Sequence, residues 1–329
     1  MPGPAQPTFR ELIHFTRMHD WHAGKLPAML GFTMSLLLVT PSVHKDVRWI
    51  LAAYLLTALY LAAAYMLNNL ADQHQDSMAH KTIGLEGCPG WRAVLVIGCV
   101  VPSLVLGALL LPGRALATMG GCYLLAWAYS YPPRFKERMV LGPFVAAFAQ
   151  VPAPALTFVL AYGSLPPASA AYLLVLFLYG LRMILVHQLM DHDNDLLTGT
   201  RTTATLLGWD ATMRLLRLFF AFECLGSLLL LFLLMNAGLL NALLVAVLWP
   251  ALVAVVYQLR GGKLTLVSYQ YIPLADLHES VLPLLMAVAL VKRDGMPMIS
   301  LLVIVIVLFY RRHIDRLITP LLQGGYRDE

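Results

Sequence analysis

Charge is scarce in this chain: Asp, Glu, Lys and Arg make up 12% of its 329 residues, while 59% are hydrophobic and the mean hydropathy is +0.72. A soluble domain carries about 25% charged residues to keep its surface hydrated, so this composition excludes one and points to an integral membrane protein. Cysteine is sparse as well. Cys88, Cys99, Cys122 and Cys224 are scattered, mostly inside apolar runs, which supports neither a disulfide framework nor a cysteine metal cluster. The apolar runs lack period-two alternation, and that excludes the strands of a membrane barrel. Residues 1–25 have no small-residue cleavage site ahead of the first apolar run, so no cleavable signal peptide is expected. Their mixture of polar and aromatic residues, including Phe9, Phe15, Trp21 and His22, predicts a cytoplasmic, interfacial amphipathic segment ahead of a single membrane domain over 26–329.

What is present is a series of long apolar runs. Crossing a hydrocarbon layer of about 30 Å takes about 20 helical residues. Spans are predicted near 26–43, 48–70, 92–112, 114–131, 140–162, 168–190, 211–235, 237–260, 276–292 and 296–312. The last two are short, which gives nine or ten spans in an all-α, multi-span transmembrane helical bundle. Lys and Arg gather at the N-terminus, after even-numbered spans and at the C-terminus, where Lys25, Lys81, Arg92, Arg134, Lys136, Arg138, Arg201 and Arg260 fall. The opposite loops hold only Lys45, Arg48, Arg114, Lys292 and Arg293. By the positive-inside rule the first group is cytoplasmic. The pI near 9.0 therefore reflects topology and an anionic ligand, not nucleic-acid binding.

Two polar motifs interrupt the apolar pattern. Asn68, Asp72 and Asp76 end the second span, and His187, Asp191 and Asp195 end the sixth at the same spacing. Four intervening spans preserve direction, so the two halves read as a parallel internal repeat whose motifs face a shared central cavity on the cytoplasmic side. Residues four apart on a helix differ by about 40° in direction and about 6 Å in height, which places both carboxylates of a motif on one face. Like charges so close repel unless a cation compensates. All-oxygen ligands favour Mg²⁺, which is normally shared between one or two carboxylates and a substrate phosphate. The expected metal ligands are Asn68, Asp72, Asp76, Asp191 and Asp195, with His187 outside them.

Between the motifs, Tyr129-Ser-Tyr-Pro-Pro-Arg134-Phe-Lys136-Glu-Arg138 ends the fourth span. Pro132 and Pro133 break the helix and leave Arg134, Lys136 and Arg138 on the same side as the acidic motifs, as a topology anchor or a diphosphate contact. Lys81 and Arg201 follow the two motifs and can reach the same anion. The polar, aromatic loop containing Tyr271, Asp276 and Glu279 is where an acceptor would be selected: Asp276 or Glu279 can accept a proton, or Asp276 can simply cap a helix.

The combination resembles the UbiA superfamily of intramembrane prenyltransferases. The first family motif, NDxxDxxxD, stands here as Asn68-Asn69-Leu-Ala-Asp72-Gln-His-Gln-Asp76. The second stands as Asp191-His-Asp-Asn-Asp195 followed by Gly199, Thr202 and Thr203, and the Tyr129–Arg138 stretch is similar to the family's Tyr and Arg/Lys loop. The resemblance implies a nine-helix bundle around a central cavity, with Mg²⁺ bridging the acidic motifs and the diphosphate of an isoprenyl donor. Two departures stand out. Asn69 replaces the usual acidic second residue, and the stretch after Asp76 lacks the Arg-Pro signature of the quinone and chlorophyll branches.

The chemistry expected of such a site is ionisation of an allylic diphosphate. Cations stabilise the leaving group, and the carbocation persists only in a dry apolar pocket. Tyr65, Tyr179, Phe177 and Tyr271 are aromatic residues placed to line it or to pack. Three readings are compatible with the sequence. The leading one is prenyl transfer to an aromatic or lipid acceptor; the second is a terpene cyclase acting on farnesyl or geranylgeranyl diphosphate without an acceptor. A transporter is the third, opposed by acidic pairs at the membrane edge instead of its midplane.

Overall fold

The computed structural model describes residues 7–22, 24–39, 47–78, 85, 88–236, 238 and 277–294. The predicted spans near 237–260 and 296–312, together with Lys81, Tyr271, Asp276 and the side chain of Asp76, lie outside the described residues.

Helix α1 (Phe9–Thr16) starts at a reciprocal cap in which the Thr8 hydroxyl accepts from the Glu11 amide and the Glu11 carboxylate accepts from the Thr8 amide. It ends at Arg17, whose backbone is left-handed (φ 50°), and the short helix α2 (Met18–Trp21) follows. Next come α3 (Lys25–Val39) and α4 (Val47–Met78). At 1.5 Å per residue the 32 residues of α4 reach about 48 Å, well beyond a bilayer core, so its polar end from Asn68 onward projects past the apolar zone. The chain continues through α5 (Pro89–Leu110), α6 (Gly113–Ser130), a 3₁₀ turn over Phe135–Glu137, α7 (Leu141–Gln150) and α8 (Pro152–Tyr162). It then forms α9 (Pro167–Met190), α10 (His192–Thr198), α11 (Thr203–Leu207) and α12 (Trp209–Asn236). A π-helical turn, Leu277–Val281, leads into α13 (Leu282–Asp294).

Among the described residues, four helices are long and apolar enough to cross a membrane: Trp49–His74, Gly90–Leu110, Pro167–Met190 and Trp209–Asn236. A fifth is present if the bent pair α7–α8 counts as one span. These are four, or up to five, of the nine or ten crossings predicted. The single span predicted over 140–162 is in fact two helices meeting at 47°. The cause is local: Pro152 and Pro154 cannot donate backbone hydrogen bonds, so the ladder fails at Val151. The Tyr60 hydroxyl donates to the Ala149 carbonyl (2.8 Å), satisfying one of the acceptors exposed at the end of α7.

Burial sorts the helices into layers. Leu26, Met29, Phe32 and Leu36 on α3 are buried, and α3 packs against α4, α9 and α13 at the centre. On α5, Val94, Ile97, Val101, Val105 and Leu109 are exposed, as are Leu225, Leu228, Leu229 and Phe232 on α12. Apolar surface of that extent is what lipid, not water, covers. Deep between α9 and α12, Arg182 and Glu223 form a bidentate ion pair at 2.6 and 3.1 Å with both side chains fully buried.

Candidate active site

A cavity of about 470 Å³ opens among α2, α3, α4, α6, α7, α9 and the segment after α9. Asn68 and Asp72 of the first motif line it together with His187, Asp191 and Asp195 of the second. Leu61, Ala64, Ala126, Ala146, Ala149, Met183 and Ile184, with Tyr60, Tyr65, Tyr129 and Tyr179, supply apolar and aromatic wall, and Arg17, Lys25, Gln150, Gln188 and Glu279 are polar groups on the same cavity. The two acidic motifs therefore share a cavity with apolar and aromatic wall, an arrangement suited to an amphiphile with a charged head.

The two acidic motifs are held differently. α4 runs unbroken through Asn68, Asp72 and Asp76 to Met78, so its motif lies on one continuous helix as predicted. The second motif does not: α9 stops at Met190, and Asp191 (φ −90°, ψ 3°) is the junction with α10. The Asp195 amide still donates to the Asp191 carbonyl (2.8 Å), and the Thr200 amide donates to Asp195 (2.8 Å) as the chain turns left-handed at Gly199 (φ 67°). Asp195 thus reaches the cavity from a helix of two turns.

The segment after α6 folds back over this end. Lys136 forms an ion pair with Asp72, whose Oδ1 also lies 3.3 Å from Nη2 of Arg134. Arg134 is anchored in turn by Glu137 at 2.6 Å. Burial pulls the Lys136 ammonium down to about 8, while the negative charges of Glu137 and Asp195 oppose that fall. One partly buried cation therefore touches the first motif and feels the field of the second. The turn sits so tightly on α7 that a Cβ at Gly142 would lie 2.8 Å from the Lys136 carbonyl. The hydroxyl of Thr203 bonds the Met139 carbonyl and ties the region after the second motif to the same segment. Ser130 donates to Asn68 Oδ1 at 3.3 Å, at the other end of the turn.

The N-terminal segment contributes more than an interfacial helix. Phe15 and Trp21 are buried, and Arg17, His19, Asp20 and Lys25 line the cavity. Arg17 and Lys25 both lie over the Tyr65 ring (5.2 and 5.1 Å), and Lys25 donates to the Tyr65 hydroxyl at 2.6 Å. Burial of Asp20 opposes its ionisation, but the Arg17 guanidinium at 2.6 Å holds its carboxyl below the usual range. The segment is attached through Asn69, which is buried and donates from Nδ2 to the Phe15 carbonyl at 2.9 Å. An aspartate, the usual residue of the motif, is an acceptor when ionised and could not make this bond. Asn69 thus has a structural assignment that the sequence left open.

At another part of the wall Tyr179 donates a hydrogen bond to Glu279, and both residues line the cavity. Of the remaining predicted residues, Arg138 and Arg201 are exposed and are not part of the cavity wall. Phe177 packs on Phe144 with ring centres 5.7 Å apart. Among the described residues no three His, Cys, Asp or Glu side chains are close enough to cage a metal by themselves. That suits Mg²⁺, which keeps several waters and is held by one or two carboxylates plus substrate phosphate, more than it suits a metal needing a complete protein shell. The oxygen-only set of Asn68, Asp72, Asp191 and Asp195 on one cavity fits the same ion.

By fold the chain is similar to a UbiA homologue from Archaeoglobus fulgidus solved with GPP and Mg²⁺: TM-score 0.59 and 18% identity, over 84% of this chain and 99% of that one. The same homologue bound to DMAPP and Mg²⁺ matches with TM-score 0.57 and 17% identity, over 84% and 98%. A structure of a digeranylgeranylglyceryl phosphate synthase matches with TM-score 0.54 and 14% identity, over 86% and 98%. A sequence search of curated proteins gives no match. The profile of the UbiA prenyltransferase family matches residues 27–265, most of the chain and both acidic motifs, and the chain belongs to that family.

Proposed function

We propose that this chain is a Mg²⁺-dependent intramembrane prenyltransferase that ionises an isoprenyl diphosphate and passes the prenyl group to an aromatic or lipid acceptor. The observation that carries this reading is Lys136, a partly buried cation paired with Asp72 and under the field of Asp195, in a cavity that also has apolar and aromatic wall. A diphosphate head belongs beside Lys136 and an isoprenyl chain along Leu61, Ala64, Ala126 and Ile184. Known relatives support the assignment, because the Archaeoglobus homologue was solved with GPP or DMAPP together with Mg²⁺.

Asn68, Asp72, Asp76, Asp191 and Asp195 would hold the metal, with Tyr129, Arg134 and Lys136 on the diphosphate. When bound, Mg²⁺ would neutralise the diphosphate and make it a better leaving group. Lys136 stabilises the same developing negative charge from the protein side, and Arg134 ties Asp72 to Glu137 beside it. The Tyr60, Tyr65 and Tyr129 faces and the surrounding alanines exclude water from the allylic cation. With the positive loops cytoplasmic, the end carrying the acidic motifs opens to the cytoplasm in a bundle of nine or ten spans.

The test is turnover by purified protein with geranyl, farnesyl or geranylgeranyl diphosphate. Asp72→Ala and Asp191→Ala should abolish diphosphate release while the protein stays folded in detergent, and EDTA should reproduce the loss. Retained release in either variant would overturn the site. A cyclic product formed without any acceptor would make the enzyme a terpene cyclase built on the same ionising machinery.

A further inference from the structure

The length of the donor's tail is open, and the cavity carries a measure of it. Tyr60 on α4 and Tyr179 on α9 each precede the first aspartate of their motif, Asp72 and Asp191, by twelve residues. At 1.5 Å per residue, both tyrosines lie about 18 Å along their helices from those aspartates. Side chains on a helix lean toward its N-terminus, tyrosine and aspartate alike, so the separation carries over to the groups themselves.

Both tyrosines line the cavity, and among the described residues that do so none on α4 precedes Tyr60 and none on α9 precedes Tyr179. The turn below each is packed: Leu56 and Thr57 on α4, and Val175 and Leu176 on α9, are buried. The Tyr60 hydroxyl donates to the Ala149 carbonyl, which places the end of α7 at the same level; beyond Gln150 the chain bends away by 47° into α8. Both rings are held. Tyr60 is also edge-on to Tyr123 at 5.4 Å. Tyr179 donates to Glu279, with Arg182 5.3 Å from its ring. Glu279 is itself seated closely on α3, since a Cβ at Gly24 would lie 2.5 Å from its Oε1.

We propose, building on the prenyltransferase reading, that Tyr60 and Tyr179 form the floor of the donor site and limit the isoprenyl tail to three units. A diphosphate with its ion takes up about one helical turn below the aspartates, about 5 Å, which leaves about 13 Å for the tail. Each isoprene unit adds four carbon–carbon bonds of about 1.5 Å, or about 5 Å in zigzag. A geranyl tail of about 10 Å fits, and a farnesyl tail of about 15 Å meets the rings with a slight bend. A geranylgeranyl tail of about 20 Å overshoots by more than one unit, so it must fold into the walls or drive the rings from their partners.

The experiment measures tail length apart from turnover and needs no acceptor. Wild type, Tyr179→Phe, Tyr60→Ala, Tyr179→Ala and Ala64→Phe are purified in one detergent. Each is titrated with the thiolodiphosphate analogues of geranyl, farnesyl and geranylgeranyl diphosphate, with and without Mg²⁺. Affinities are compared as ratios between proteins, which cancels partition of the tails into the micelle. The Tyr60→Ala and Tyr179→Ala changes lower the floor, so each should improve the geranylgeranyl-to-farnesyl affinity ratio at least about tenfold over wild type. Tyr179→Phe keeps the ring and should hold the wild-type ratio within about threefold. Ala64 stands one turn nearer the motif than Tyr60, and Ala64→Phe should lower the farnesyl-to-geranyl ratio at least about tenfold.

Unchanged ratios in both alanine variants would overturn the floor, and so would a gain in Tyr179→Phe equal to that in Tyr179→Ala, because ring bulk would then not be the limit. If the alanine variants do not fold, Ala64→Phe decides, since it opens no void: an unchanged farnesyl-to-geranyl ratio overturns the proposal. Wild type binding the geranylgeranyl analogue as tightly as the farnesyl one would reject the length limit and leave the donor site standing. Absence of Mg²⁺-dependent binding by every analogue would reject the prenyltransferase reading itself, and the floor with it.

Discussion

The Arg182–Glu223 pair offers a direct measure of how much of this fold depends on charge in an apolar setting. Glu223→Gln keeps the size of the side chain and removes its charge. At separations of 2.6 to 3.1 Å and an effective dielectric near 20, the lost attraction is about 5 to 6 kcal/mol. The guanidinium remains fully buried while the opposing charge is gone, so most of that loss should appear as instability. The expected cost is about 3 to 5 kcal/mol, and Arg182→Met should cost a similar amount by stranding the carboxylate. The double variant Arg182→Met/Glu223→Gln removes both charges and their desolvation penalties at similar volume, so it should recover to within about 2 kcal/mol of wild type. Equilibrium unfolding of the four proteins in mixed micelles gives the cycle. Single losses below about 1 kcal/mol, or a double variant whose loss is the sum of the singles, would refute this account of the pair.

Three further outcomes are expected. Lys136→Ala should raise the donor KM about tenfold or more, whereas Arg138→Ala, exposed and away from the cavity, should stay within about twofold; equal effects in donor titrations would contradict the geometry. Asn69→Ala should loosen the Phe9–Trp21 segment, seen as faster amide exchange there, and weaken donor binding by withdrawing Arg17; exchange unchanged from wild type would show that Asn69 is not the attachment. Asp72→Ala and Asp195→Ala should be strongly non-additive in single-turnover rates, because both act on one cavity, and clean additivity would separate the motifs.

Some of this architecture is legible in the sequence because it depends on local pattern. The first acidic motif sits on a continuous helix, and i, i+4 spacing is enough to place Asn68 and Asp72 on one face. The bend at Val151 has a local cause too, in Pro152 and Pro154, but the unbroken apolar run across 140–162 hides it from a span count. The junction at Asp191 has no such marker: neither proline nor glycine lies between His187 and Asn194. Arg182 and Glu223 are visible singly as charges in apolar runs, yet their pairing across 41 residues depends on how α9 and α12 pack. The same holds for Asn69, whose partner is a backbone carbonyl 54 residues away. An amphipathic N-terminal segment can be read from its pattern, but nothing in that pattern says its polar face belongs to the cavity.

The different mounting of the two acidic motifs has a mechanical consequence. Displacing Asp72 means bending a 32-residue helix against its own hydrogen-bond ladder, so that side of the cavity acts as a fixed jaw. Asp195 rides on the seven residues of α10, bounded by the junction at Asp191 and the left-handed turn at Gly199. Rotation of α10 about those two points would carry Asp195 while α9 stays in place. Compliance to close on ligands of unequal size would then come from that jaw, with the other as the reference against which it closes.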